Sequence, residues 1–262
     1  MGKHYLDLDN FFFKLSISIG ILEVMWMARL LNPWALPWAW WWSFFFTSRM
    51  LLNGVDWYLK QQAVKAADSD DENTDDDDRV YHPTMIQHYE LFHAVNAFQE
   101  HVFLQWAMYV CHYVWKDPWQ GISGTTISVA IMFVAMDAVY MMAHRAMHTR
   151  RLYTHVHKYH HVSKNPRNGY ADAAFTHPLE HCIGLTTVFV GMFVAHHLTG
   201  GASVPAVATF VGLHGVLSIT NHLKGPLGAF HRTHHRHLTC NYAQHIQLLD
   251  RVAGTYQAHP RI

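Results

Sequence analysis

The sequence predicts an all-α protein, a multi-pass membrane helical bundle capped on its cytosolic side by a histidine-rich region. Charged residues make up only 15% of the 262-residue chain, well below the roughly 25% usual in soluble domains. Apolar stretches about one bilayer long recur along it. The third observation is a surplus of histidine: 24 His against 19 Lys and Arg together. These histidines gather where the apolar stretches end.

Taken in order, residues 11–31 are mostly apolar but carry Lys14, Glu23 and Arg29, so they read as a first span or an interfacial helix. Residues 33–52 make a cleaner span. Trp34, Trp38, Trp40, Trp41 and Trp42 supply an aromatic belt at one end of it. The N-terminus lacks an apolar core followed by a small-residue cleavage site, so no cleaved signal peptide is expected. Residues 1–59 are therefore assigned as a membrane anchor. Eight of the 19 acidic residues fall between Asp68 and Asp78, and residues 60–84 are expected to form a disordered acidic loop.

Residues 85–262 form the next expected domain, with further membrane helices. Residues 91–115 contain His93, Asn96, Gln99, Glu100, His101 and Gln105, a pattern expected of an amphipathic helix packed on the bundle surface. Residues 121–143 form a good span broken only by Asp137. An acid at that depth should face the protein interior, which flags it as a candidate functional residue. Residues 183–220 contain two apolar arms separated by Gly200-Gly201-Ala202-Ser203-Val204-Pro205. A helical hairpin there returns the chain to the face it left, so histidines before residue 183 and after residue 220 can meet. Arg145, Arg150, Arg151, Lys158, Lys164 and Arg167 assign that face to the cytosol. From His144 onward the chain has eleven Lys and Arg against three acids. Set among apolar segments, this basic half fits a membrane surface better than nucleic acid. The three cysteines are widely spaced with no CxxC pattern, which suits a reducing compartment rather than a disulfide framework.

Three histidine clusters carry the chemistry. His144 and His148 form an HxxxH pair at i, i+4, on one face of a helix. His157, His160 and His161 form HxxHH, and His231, His234 and His235 repeat it. Eight imidazoles brought together repel one another if protonated and are costly to desolvate if unpaired. Bound cations resolve both problems. A structural zinc site closes with four ligands, whereas eight or more imidazoles serve two ions and suit a dinuclear iron site with a position open for oxygen. The paired ExxH motifs of soluble di-iron bundles are absent, a single ExxH falling at Glu90–His93.

The ordered series HRAMH (144–148), LYTHVHKYHH (152–161), HPLEH (177–181), HRTHH (231–235), NYAQ (241–244) and LLDRVAGTY (248–256) resembles the fatty acid hydroxylase superfamily. That group includes sterol desaturases, sterol methyl oxidases and related membrane di-iron oxygenases. The resemblance covers roughly residues 120–257. The eight-residue gap between His148 and His157 resembles the sterol-modifying branches, and the tail from His231 is most similar to sterol C-5 desaturases. Where the family has an HDG-type element this chain has Asn221-His222-Leu223-Lys224-Gly225, and Ala243 stands for the usual Gly of NYGQ.

The resemblance implies iron ligands at His144, His148, His157, His160, His161, His231, His234 and His235, with His222 a ninth. It implies supporting or substrate-lining roles for His177 and His181, and Asp137, by its depth, and Asn241 are expected in the same shell. It further implies two Fe ions, O2 and a membrane lipid substrate, a sterol above all. Fatty acyl, sterol C-4 methyl and carotenoid oxidation are the rivals within the superfamily, and a membrane metal transporter is the rival outside it. The chain has no GxGxxG motif and no cysteine cluster for an iron–sulfur centre, so electrons must come from outside. The resemblance implies NAD(P)H, delivered through cytochrome b5 and its reductase in the endoplasmic reticulum membrane. Arg150, Arg151, Lys158 and Lys164 form the expected dock for that acidic donor. His155, His196, His197 and His214 are expected to be packing or surface residues, and Asp250-Arg251 a buried ion pair or cap.

Overall fold

The computed structural model describes residues 83–258 apart from 167–168 and 224–225. The predicted anchor over 1–59 and acidic loop over 60–84 lie outside these residues, except that positions 83 and 84 begin the first helix. Every regular element among the described residues is helical: α1 (Pro83–Tyr109), a π-helical segment (Val110–Trp115), α2 (Gly121–Met147), α3 (Arg150–His155), a 3-10 segment (His157–Val162), α4 (Tyr170–Ala173), α5 (Pro178–Thr199), α6 (Val204–Asn221), α7 (Ala229–His237) and α8 (Gln247–Ala253).

Three helices, α2, α5 and α6, are long and apolar enough to cross a membrane. At ~1.5 Å per residue they reach about 27 to 40 Å, against a hydrocarbon core of roughly 30 Å. Their sequence signals are local. Pro178 and Pro205 occupy first-turn positions of α5 and α6, where a missing N–H costs nothing. Gly200 ends α5 in the left-handed conformation (φ 59°), its N–H donating to the His196 carbonyl at 2.8 Å. The hairpin turn is tied to the segment before α2. Asp117 accepts from the Ala202 N–H at 2.9 Å and contacts His196 Nδ1 at 2.9 Å. His196, expected at a solvated turn, is therefore half-buried and stacked on Trp115.

The helices meet through Met132 and Met136 of α2, Val188 and Met192 of α5, and Val207 and Phe210 of α6. Gly191 permits the closest approach, because a Cβ there would lie 2.6 Å from the Met132 carbonyl oxygen. The outer surface reverses the soluble pattern. Ile122, Ile127, Val134, Phe193, Leu198 and Leu213 are exposed, while Asn96, Gln99, Ser128 and Asp137 are buried. That inversion suits a lipid surround. Helix α1 packs chiefly on α5. It turns polar residues inward: Asn96 Nδ2 donates to the Thr176 carbonyl at 2.9 Å, fixing the segment that enters α5.

Candidate metal centre

Four separate pieces of chain deliver nine imidazoles to one end of the bundle. His144 lies in the last turn of α2 and His148 caps it. The 3-10 segment supplies His157, His160 and His161. His222 caps α6, and α7 supplies His231, His234 and His235. The 3-10 geometry matters. Its tighter winding, with His161 already at non-helical φ/ψ, turns neighbouring His160 and His161 toward different partners.

The nine sort into two groups. His144, His148, His157, His161 and His234 form one, and His160, His222, His231 and His235 the other, with ligand atoms within 4.8 Å of one another in each. In the first group His157 Nε2 lies 3.1 Å from His144 Nε2, 3.1 Å from His148 Nε2 and 3.0 Å from His161 Nε2. In the second, His231 Nε2 lies 3.1 Å from His222 Nε2 and 3.1 Å from His235 Nε2.

These contacts cannot all be hydrogen bonds. Five of the rings have Nδ1 against an oxygen acceptor: His144 on the Tyr242 carbonyl (2.7 Å), His157 on Glu180 (2.8 Å), His222 on the Ser218 carbonyl (2.8 Å), His234 on the Cys240 carbonyl (2.6 Å) and His235 on the Ser163 carbonyl (2.8 Å). A carbonyl only accepts, so Nδ1 carries the proton and a neutral ring presents a lone pair at Nε2. His144 and His157 then face each other lone pair to lone pair at 3.1 Å, as do His222 and His231 at the same distance once His231 is neutral with its inward nitrogen bare. A cation between them removes the repulsion. Nitrogens about 2 Å from a shared ion are spaced roughly 3.0–3.4 Å apart, which is the spacing found. The residues present fit two metal ions, one per group.

Protonation does not offer another escape. Burial, and then the proximity of the other rings, holds His157, His160, His161, His231, His234 and His235 well below the usual histidine range. Burial alone brings His148 down to about 4. The cluster therefore stays neutral and ligand-competent at physiological pH.

The remaining sequence candidates divide. His177 belongs to neither group: it is fully buried, N-caps α5 by accepting from the Leu179 N–H at 3.1 Å, and packs against Phe92 and Tyr159. His181 lines a cavity described below. Asp137 touches no imidazole of either group. Its carboxylate accepts the backbone N–H groups of Gln244 (2.6 Å), His245 (3.0 Å) and Ile246 (2.5 Å). Asp250 accepts those of Tyr242 and Ala243, both at 2.8 Å. Two acids thus hold five consecutive amides, and that loop presents the Tyr242 carbonyl to His144. The Asp250-Arg251 expectation resolves as a cap, because Arg251 is exposed and lies over the Tyr256 ring. Asn241 (φ 55°) bonds the Phe230 carbonyl at 3.1 Å and the Gln257 backbone, bracing the residue before His231. Arg150, Arg151 and Lys164 are exposed, whereas Lys158 is half-buried with Nζ 5.0 Å from the Tyr159 ring centroid.

Sequence reasoning missed Glu180. It is buried in the first turn of α5, and its Oε1 accepts the His157 Nδ1 proton, a carboxylate–histidine arrangement that fixes tautomer and ring orientation. The signal lay in HPLEH, where it is the lone acid between two histidines. His214, expected to be a packing residue, pairs with His245 at 3.1 Å.

A cavity of about 180 Å³ opens beside the second group. Its metal-side wall includes His160, His222 and His231. Toward the bundle interior it is walled by Phe103, Leu104, Leu185, Val188 and Val211. The chamber is largely apolar, with Glu100, His181 and His214 also on its wall, and it ends on candidate metal ligands.

Residues 129–255 match the family model described as fatty acid hydroxylase. Among curated relatives, methylsterol monooxygenase 1 of Rattus norvegicus is 30% identical over 130 residues, covering 47% of this chain and 44% of that protein. Lathosterol oxidase of Rattus norvegicus is 29% identical over 140 residues, 51% of this chain and 46% of the relative. A very-long-chain aldehyde decarbonylase of Oryza sativa is 32% identical over 138 residues, 48% of this chain and 51% of the relative. The chain spans about half the length of the curated relatives it matches. No solved structure matches it.

Proposed function

We propose that the protein is a membrane-bound, O2-dependent di-iron oxidoreductase that desaturates or hydroxylates a sterol, because residues 129–255 match the fatty acid hydroxylase family model and the candidate ligands lie in two facing groups. The observation that carries this reading is the apolar cavity ending on His160, His222 and His231. It brings an unactivated C–H bond to the ligand shell with no ionisable nucleophile or Ser-His-Asp arrangement required.

The nine imidazoles would hold the iron, which when bound would supply oxygen activation for C–H oxidation with electrons from outside the chain. The protein's own part is orientation. Glu180 holds His157, the carbonyls of Ser218, Tyr242, Cys240 and Ser163 hold His222, His144, His234 and His235, and the cavity wall decides which carbon lies near the ligands. The substrate approaches through the helices, and the histidine face is cytosolic in the endoplasmic reticulum membrane, with residues 1–59 as anchor. Cytochrome b5, reduced from NAD(P)H, docks on the exposed positive charges of Arg150, Arg151 and Lys164.

An acyl substrate is the second reading, supported by 32% identity to a very-long-chain aldehyde decarbonylase, against 30% to methylsterol monooxygenase 1. A metal transporter fits less well, because the imidazoles cluster at the ends of α2 and α6 rather than at mid-membrane depth. Expression in a sterol-desaturase-deficient host followed by lipid mass spectrometry tests the reading. A new double bond or hydroxyl on a sterol, lost in His160→Ala, is expected. An altered acyl profile with sterols untouched would transfer the assignment to the second reading.

A further inference from the structure

Gly184 is a glycine in the interior of a membrane helix that neither backbone nor packing requires. Alanine suits a helix interior better than glycine does. The other glycines of α5 and its turn have structural reasons: Gly191 meets the Met132 backbone at 2.6 Å, Gly201 would collide with Ser128 Oγ, and Gly200 has φ 59°. A Cβ added at Gly184 meets nothing within 4 Å. Gly184 also lines the cavity, on the same stripe of α5 as Glu180, His181, Leu185 and Val188. The space left by its missing side chain is therefore part of the cavity.

Its position gives that space a meaning. Glu180, which holds His157, lies four residues earlier, so Gly184 sits roughly 6 Å along the helix from the level of the ligand shell. This is where the part of a substrate next to its reacting carbon must pass. Leu185 and Val188 line the same wall. A single alkyl chain does not need width at that level, whereas a fused ring does.

We propose that Gly184 is a specificity-determining residue, keeping the cavity wide enough one turn from the metal ligands to admit a fused-ring lipid. This rests on the sterol reading above and deepens it. A side chain at 184 fills the space and leaves room for a linear chain alone.

The test uses the full chain purified in detergent, with metal content measured on each variant. Binding of two probes is followed by energy transfer from tryptophan: dehydroergosterol as the ring lipid and cis-parinaric acid as the linear one. Gly212→Leu serves as control, because Gly212 is also open to a Cβ but exposed on the outer face of α6. Gly184→Leu should weaken dehydroergosterol binding by about 10-fold or more, the scale of overfilling a packed site. Cis-parinaric acid binding and metal content should stay within about 3-fold and unchanged respectively, on the same scale. Gly184→Ala should fall between, and Gly212→Leu should match the unsubstituted protein. If Gly184→Leu binds both probes as before, or loses both equally, the assignment of width to Gly184 is overturned while the sterol reading stands. If the unsubstituted protein binds only cis-parinaric acid, the sterol reading fails and the ring-width role fails with it.

Discussion

At His157 one proton position controls the metal group. Its Nδ1 donates to Glu180 at 2.8 Å while its Nε2 lies within 3.1 Å of three other imidazoles. Glu180→Gln keeps the shape but replaces the carboxyl oxygen that orients the ring with a weaker amide acceptor. Metal affinity should fall by about 10-fold or more, the usual cost of losing such a partner, as read by competition with a chelator at unchanged helicity. Unaltered affinity would contradict the role given to Glu180. The depressed imidazoles also set a pH dependence. In the unfolded chain they titrate near the ordinary value of 6.5, whereas burial holds His148 at about 4 and the others well below 6.5. The unfolded state therefore binds more protons below 6.5. This stabilisation is complete above about pH 6.5 and is lost as pH falls toward 4. Chelator-treated protein should show a lower urea midpoint at pH 5 than at pH 7.5; an unchanged midpoint would count against burial of neutral rings.

At the scale of elements, the loop over residues 242–246 is held by two carboxylates from different helices, Asp250 of α8 and Asp137 of α2. Asp137→Asn places an amide donor against three N–H donors. It should cost about 2–3 kcal/mol, the scale of buried charged hydrogen bonds, in unfolding measured in detergent, with His144 loosened because its acceptor is on that loop. A shift below about 0.5 kcal/mol, the level of a neutral surface change, would show that the loop is held by other means. The sequence made the helices legible because Pro178, Gly200 and Pro205 mark their ends and apolar runs mark their length. It made Asp137 conspicuous but not its partners. Those partners are backbone amides 107 to 109 residues away, and no side-chain pattern encodes them. The pairing of His157 with Glu180 was hidden for a related reason: a contact across 23 residues depends on where the 3-10 segment abuts α5.

For the whole molecule, the hairpin of α5 and α6 is what brings early and late histidines to one end. The spacing of the motifs announced that arrangement, but the division into two groups could not be read from them. His160 and His161 are neighbours in sequence and belong to different groups, a consequence of local winding that spacing leaves open. The exposed charges beside this end, Arg150 and Arg151, should steer an acidic electron donor. Charge reversal at both should slow reduction by about 10-fold at low salt and remove the salt dependence, without changing metal content. Equal rates in stopped-flow reduction would remove the dock from this face. The central claim is that the nine imidazoles hold two ions, and elemental analysis of the purified chain tests it most directly. Two transition-metal ions per chain are predicted, one per group, with one of them released more readily to a chelator in His234→Ala and the other in His231→Ala. Protein that folds with no transition metal, or that binds a single ion, would contradict the account.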